Sequence, residues 1–234
     1  MKLEIIATCI EDALAAEEGG ADRLELITAI TEGGLTPGIG LVRQVARAVS
    51  IPVNVMVRPH SRSFIYSAHD LDTMAYELEA LADSGAAGAV LGAITADGRV
   101  DERALERLLP HVDALEVTFH RAFDELEDQA AALAILNCYP QIKRVLTSAG
   151  PRPALESVGA MRALVDASGK GHVLILAGSG LRLEGIEDFV RQTKVPEVHF
   201  GSAVRYGGQA LSPVDPAAVR ALAKVLQEGE KGEK

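Results

Sequence analysis

Two glutamates stand where a buried strand normally carries apolar side chains. Glu4 lies in the run Leu3-Glu4-Ile5-Ile6, and Glu25 in Arg23-Leu24-Glu25-Leu26. A carboxylate in such a place is costly unless it is paired or neutralised. Each residue therefore marks either a structural pair that anchors an arginine or a group that moves a proton. Arg58 ends a third apolar run, Val55-Met56-Val57-Arg58-Pro59. Its planar fork suits the two carboxylates or an anionic substrate, and Pro59 stops the strand behind it. A fourth run, Val117-Thr118-Phe119, ends in His120-Arg121. His120 has the chemistry of an acid or base near neutrality. Arg121 can hold an anion or stabilise developing negative charge.

Two glycine-bearing turns form a second group, Ala177-Gly178-Ser179-Gly180 and Phe200-Gly201-Ser202-Ala203. Gly178, Gly180 and Gly201 let the backbone approach a ligand closely, and Ser179 and Ser202 add hydroxyl donors. Turns of this kind cradle phosphate through backbone N–H groups, although they also serve as plain strand-to-helix connections. Thr147, followed by Ser148, ends another apolar run and is a further candidate donor.

All of these residues sit at or near the ends of short β-rich runs, predicted over 3–7, 23–27, 53–58, 88–92, 115–120, 143–147, 173–177 and 197–200. Helical spacing fills the intervals, for example over 11–19, 71–83, 101–109 and 215–227. Gly19-Gly20 reads as a helix stop, Asp101 as an N-cap and Pro216 as a first-turn residue. Eight alternating βα units predict an α/β chain folded as one (β/α)8 TIM barrel over 1–227. The charged tail 228–234 is expected to be disordered. A doubly wound open sheet is the alternative, but the first strand leads into Thr8-Cys9-Ile10 without the glycines of a dinucleotide turn. In a barrel the helices cover the outer face of the strands, so period-two alternation points Glu4 and Glu25 inward. Barrel sites form where the strands end, and phosphate is often held after the seventh and eighth. The long connections 28–40 and 59–67 lie on that face and read as lids or contact loops.

Composition narrows the partners. The chain is 48% hydrophobic and 24% charged, with net charge −10, which disfavours nucleic acid as a partner. No run approaches the ~20 apolar residues of a membrane span. Glu4 also interrupts any signal-peptide core. Two distant cysteines, Cys9 and Cys138, suit a reducing compartment, so a cytoplasmic location is expected. The spacing of His60, His69, His111, His172 and His199 does not form a zinc motif, so no metal ligands are assigned, and the cofactor is unknown.

The segments Gly20-Ala21-Asp22-Arg23-Leu24-Glu25-Leu26, Glu32-Gly33-Gly34-Leu35-Thr36-Pro37, Val57-Arg58-Pro59 and Thr118-Phe119-His120-Arg121-Ala122-Phe123-Asp124 resemble the CutC family. So do Arg144-Val145-Leu146-Thr147-Ser148 and the Ala177-Gly178-Ser179-Gly180 turn. The resemblance implies a (β/α)8 barrel in the cytoplasm, a homo-oligomer, expected to be a dimer, and a link to copper homeostasis. Family members proposed to bind Cu(I) carry cysteines at positions matching Ile6 and Ile27. With isoleucine at both, direct Cu(I) coordination is not expected here, because Cu(I) prefers thiolate and thioether ligands. The residues themselves point to an isomerase- or lyase-type enzyme acting on a small anionic or phosphorylated metabolite. A non-catalytic oligomer with structural rim charges is the third reading.

Overall fold

The computed structural model describes residues 1–231. Its strands are β1 (Lys2–Ala7), β2 (Arg23–Leu26), β3 (Val53–Met56), β4 (Gly88–Leu91), β5 (Glu116–Phe119), β6 (Ile142–Thr147), β7 (Leu174–Ala177) and β8 (Glu197–Phe200). Every neighbouring pair is parallel, and β8 pairs back onto β1 to close the barrel. The helices are α1 (Ile10–Gly19), α2 (Ile39–Ala48), α3 (Ala68–Ala82), α4 (Glu102–Leu108), α5 (Gln129–Leu136), α6 (Val158–Ser168), α7 (Ile186–Thr193) and α8 (Pro216–Lys231). The predicted barrel is therefore the observed one. No helix among the described residues is long and apolar enough to cross a membrane.

Local chemistry sets the helix ends. Gly20 takes the left-handed conformation (φ 95°) and closes α1 through its N–H. Asp101 caps α4 by accepting from the Ala104 N–H. Helix α3 begins three residues before the predicted start, because Ser67 and Asp70 form a reciprocal capping box. The tail expected from Glu228 divides: α8 continues through Lys231, and 232–234 lie outside the described residues. Extending a formed helix costs little, whereas starting one is expensive.

Alternation along the strands gives the barrel two unlike faces. Leu3, Ile5, Leu24, Leu26, Val55, Ala89 and Phe119 belong to the large core shared with the helices. Burying such side chains supplies the main driving force, roughly 1.5–3 kcal/mol each. The interior is far less apolar. Ile27, Met56 and Val90, with Ile6 against them, form a small separate cluster. Beside it lie buried polar residues, among them Glu4, Arg23, Glu25, Arg144, Glu197 and His199. These have to satisfy one another, because the outer core offers them no partners.

Candidate functional site

Arg23 lies between two buried carboxylates. Its Nε donates to Glu4 Oε2 at 2.5 Å and its Nη2 to Glu197 Oε2 at 2.5 Å. Arg144 extends the chain of charge to Glu197 at 3.3 Å and Glu116 at 2.6 Å. Glu4 also reaches His199, whose Nδ1 lies 2.8 Å from Glu4 Oε1. Burial would raise the pKa of Glu4, but Arg23 and His199 outweigh it and hold the carboxyl at about 2. Glu4 is thus a carboxylate with both oxygens occupied.

Glu25 is its opposite. It is 3% exposed, and its Oε1 has no hydrogen-bond partner among the described residues. Burial is the largest influence and Glu4 adds repulsion, while His199 and Arg23 pull the other way; the pKa rises to about 7. Its Oε2 lies 3.9 Å from His199 Nε2, too far for a direct hydrogen bond. Burial alone would lower the pKa of His199, yet Glu25 and Glu4 together raise it. The two strand glutamates therefore differ: Glu4 anchors an arginine, and Glu25 keeps an unpartnered oxygen and a raised pKa.

Above this group opens a cavity of about 1110 Å³, whose lining includes Glu25, His199, Arg58, His120, Arg121 and Arg182. Glu4 lies beneath it and is not part of the lining. The expected pairing of Arg58 with Glu4 and Glu25 is not observed. Instead, Arg58 Nη1 donates to the carbonyls of Glu32 and Gly34 at 3.1 and 3.2 Å, and its guanidinium lies 4.6 Å from the centre of the Phe64 ring. Arg23, the register partner of Glu4 on the neighbouring strand, takes that carboxylate together with Glu197, and Glu25 is left without an arginine. Arg58 consequently joins the two long loops, which Ser61 also ties through Glu32 Oε2 at 2.8 Å.

The end of β5 is organised by Asp124. This carboxylate accepts from Arg121 Nε (2.8 Å), Thr147 Oγ1 (2.5 Å), and the Ser148 hydroxyl (2.9 Å) and N–H (3.1 Å). Arg121 is thereby aimed along the rim, and Thr147 is consumed: it is fully buried and does not line the cavity. Gly178 is likewise behind the wall. A Cβ there would lie 2.6 Å from Leu146 and 3.2 Å from His199, so the glycine makes room for that histidine. Ser179, Gly180, Gly201 and Ser202 do line the cavity. The backbone N–H groups of Ser179, Gly180, Ser202 and Ala203 have no partner among the described residues. Ser179 holds φ at 68°, a left-handed conformation that non-glycine residues rarely adopt.

Possible metal ligands also converge here. Glu4, Glu25 and His199 offer atoms within 4.8 Å of one another. Glu4 is committed to Arg23 and His199, which leaves Glu25 and His199 Nε2, one short of the three protein ligands of a catalytic zinc site. The thiols do not contribute: Cys9 caps α1 by accepting from the Asp12 N–H, and Cys138 is exposed just after α5. Ile6, Ile27 and Met56 line the cavity, and the Met56 thioether is the one sulfur in its lining among the described residues.

Comparison with known proteins places this architecture. The model of the CutC family matches residues 1–204. The chain belongs to the CutC family. A CutC family protein of Agrobacterium fabrum is 35% identical over 97% of this chain and 96% of its own length. The human copper homeostasis protein cutC homolog is 36% identical over 84% of this chain and 71% of its own. The crystal structure of CutC from Streptococcus agalactiae superposes with a TM-score of 0.81 at 26% identity, covering 85% of this chain and 97% of that one. Phosphoribosylanthranilate isomerase from Pyrococcus furiosus shares the fold at a TM-score of 0.63 and 14% identity, with 97% and 99% coverage. Within this CutC chain, sequence reasoning missed His199, Arg23 and Asp124. The signal for His199 was present in the polar–apolar alternation of β8: Val198 and Phe200 join the outer core, while Glu197 and His199 join the interior ion pairs.

Proposed function

We propose that the cavity is the active site of an enzyme that moves a proton on a small anionic metabolite, in an isomerase- or lyase-type reaction. Glu25 is the general base and acid. The observation that carries this is a buried carboxyl at the cavity floor with one free oxygen and a pKa of about 7. A base poised near the working pH is both available and strong enough to act. His199, oriented by Glu4, lies close enough to Glu25 to steady its ionised form. The unpartnered N–H groups after β7 and β8, with Arg121 on the rim, supply the anion subsite. Two unpaired thiols, Cys9 and Cys138, suit the cytoplasm as the compartment. We assign no Cu(I) coordination to the cavity, whose lining among the described residues holds no cysteine.

The test is hydrogen exchange. Wild type and Glu25→Gln are screened for thermal shifts with phosphorylated and carboxylated metabolites. Ligands that bind are then incubated in deuterated water and followed by proton NMR. Deuterium should enter one carbon-bound position of a ligand with wild type and not with Glu25→Gln, while binding persists. Exchange that survives the substitution, or a cavity that binds no anion, defeats the proposal.

A further inference from the structure

We propose that His120 is a catalytic hydrogen-bond donor, its single proton fixed on Nε2, and that it faces a carbonyl oxygen of the substrate. This rests on reading the cavity as a site of proton abstraction, and it names the substrate class as an anionic aldehyde or ketone with an acidic C–H beside the carbonyl.

The tautomer follows from the backbone. His120 caps the turn Arg121–Glu125, and its Nδ1 accepts from the Ala122 N–H at 3.2 Å. A ring nitrogen that accepts carries the lone pair, so the proton of a neutral imidazole lies on Nε2. That Nε2 is buried without a partner among the described residues, in a side chain only 3% exposed that lines the cavity. The charge state agrees: burial first, then the Arg58 and Arg121 cations, lower the pKa to about 3. His120 is thus a fixed donor at neutral pH, not the acid or base its type suggested.

Packing holds the ring in place. Phe64 lies 4.7 Å away between centroids, and the same Phe64 ring supports the Arg58 guanidinium at 4.6 Å. Gly92, just after β4, leaves the space for it, since a Cβ there would lie 2.7 Å from His120 Nδ1. Arg58 brings a second buried donor, Nε, also without a partner among the described residues. Two unpartnered donors beside one aromatic ring are suited to an acceptor oxygen from a ligand.

The electron count closes without a further reactant. Glu25 takes the proton from the carbon next to the carbonyl. The C–H electrons form the new C=C bond, and the carbonyl π electrons move onto oxygen. His120 and Arg58 donate to the resulting oxyanion. The proton returns from Glu25 to the same or the neighbouring carbon, and nothing is oxidised or reduced overall.

Two measurements test this. Long-range nitrogen-proton NMR on histidine-labelled protein should show His120 as the neutral Nε2–H form at both about pH 5 and about pH 8. Titration within that range, or a proton on Nδ1, overturns the proposal. Calorimetry then compares phosphoglycolohydroxamate, an enediolate mimic, with ethyl phosphate, which lacks the second oxygen. His120→Ala should weaken the hydroxamate about tenfold and ethyl phosphate less than about threefold, and His120→Gln, which keeps an N–H donor, should recover part of the loss. Equal losses for both probes overturn it. Ethyl phosphate that binds wild type as tightly as the hydroxamate overturns this inference alone. If neither probe binds, the anion reading fails and this one falls with it.

Discussion

Replacing Glu25 by glutamine is expected to stabilise the protein, and to do so only at higher pH. Burial, assisted by repulsion from Glu4, raises its pKa from an ordinary 4.5 to about 7 in the folded protein. Between those values the folded state keeps a proton that the unfolded chain has lost. Stability contributed by this group is therefore complete below about pH 4.5 and disappears as pH rises through about 7. At ~1.4 kcal/mol per pH unit, the gap corresponds to about 3 kcal/mol. An amide resembles the protonated acid in shape and does not titrate, so the variant escapes this loss. Partial loss of charge on His199, whose raised pKa depends in part on Glu25, trims the gain without reversing it. The chain has no Trp, so urea unfolding is best followed by far-ultraviolet circular dichroism. Glu25→Gln should match wild type at about pH 4.5 and exceed it by about 3 kcal/mol at about pH 8, with unchanged denaturant slopes. An equal difference at both pH values, or a variant less stable at the higher one, would refute the account of Glu25 as a strained buried acid.

Arg23→Met should behave in the opposite way. It leaves Glu4 and Glu197 buried without their shared cation, and about 3–5 kcal/mol of stability should be lost at neutral pH in the same urea assay. A loss below about 1 kcal/mol would mean the network is solvated. Gly92→Ala should cost about 1–3 kcal/mol by crowding His120, and should weaken the hydroxamate probe more than ethyl phosphate. For copper, competition with a bicinchoninate-type chelator should leave Cu(I) on the chelator, with Cys9→Ser/Cys138→Ser indistinguishable from wild type. Tight binding lost in that double variant would restore thiolate chemistry to this chain.

The barrel was legible because its signal is local. Each strand announces itself by a short apolar run, each helix by its spacing and caps, and the count of eight follows. The inward direction of Glu4 and Glu25 was legible for the same reason, since alternation needs only neighbours in sequence. Partnership was not legible. Glu4 meets Arg23 and His199 only because β1 lies between β2 and β8, and the β8 contact spans 195 positions. Arg58 was offered to the carboxylates or to an anionic substrate on chemistry alone, without the register that gives Glu4 to Arg23. Asp124 was quoted only as the last residue of a motif. Its hold on Thr147 and Ser148 depends on how the chain turns after β6, which residue types do not encode.

The charged interior and the candidate site meet in one residue. Glu4 gives Oε2 to Arg23 and Oε1 to His199. The first bond belongs to an ion network running through buried Glu197 and Arg144 out to exposed Glu116; the second orients the histidine that faces Glu25. A barrel filled with apolar side chains would be the simpler way to stability, since buried ion pairs seldom exceed a well-packed hydrophobic substitute. What the ionic interior supplies is a fixed field. Arg23 keeps Glu4 ionised, Glu4 keeps His199 oriented and favours its charge, and Glu25 is left with an unpartnered oxygen. Of Glu4 and Glu25, the carboxyl that is harder to ionise is also the one that lines the cavity. The pH-dependent instability expected of Glu25 and its proposed role as a base thus have the same physical origin, and a variant that relieves the first must lose the second.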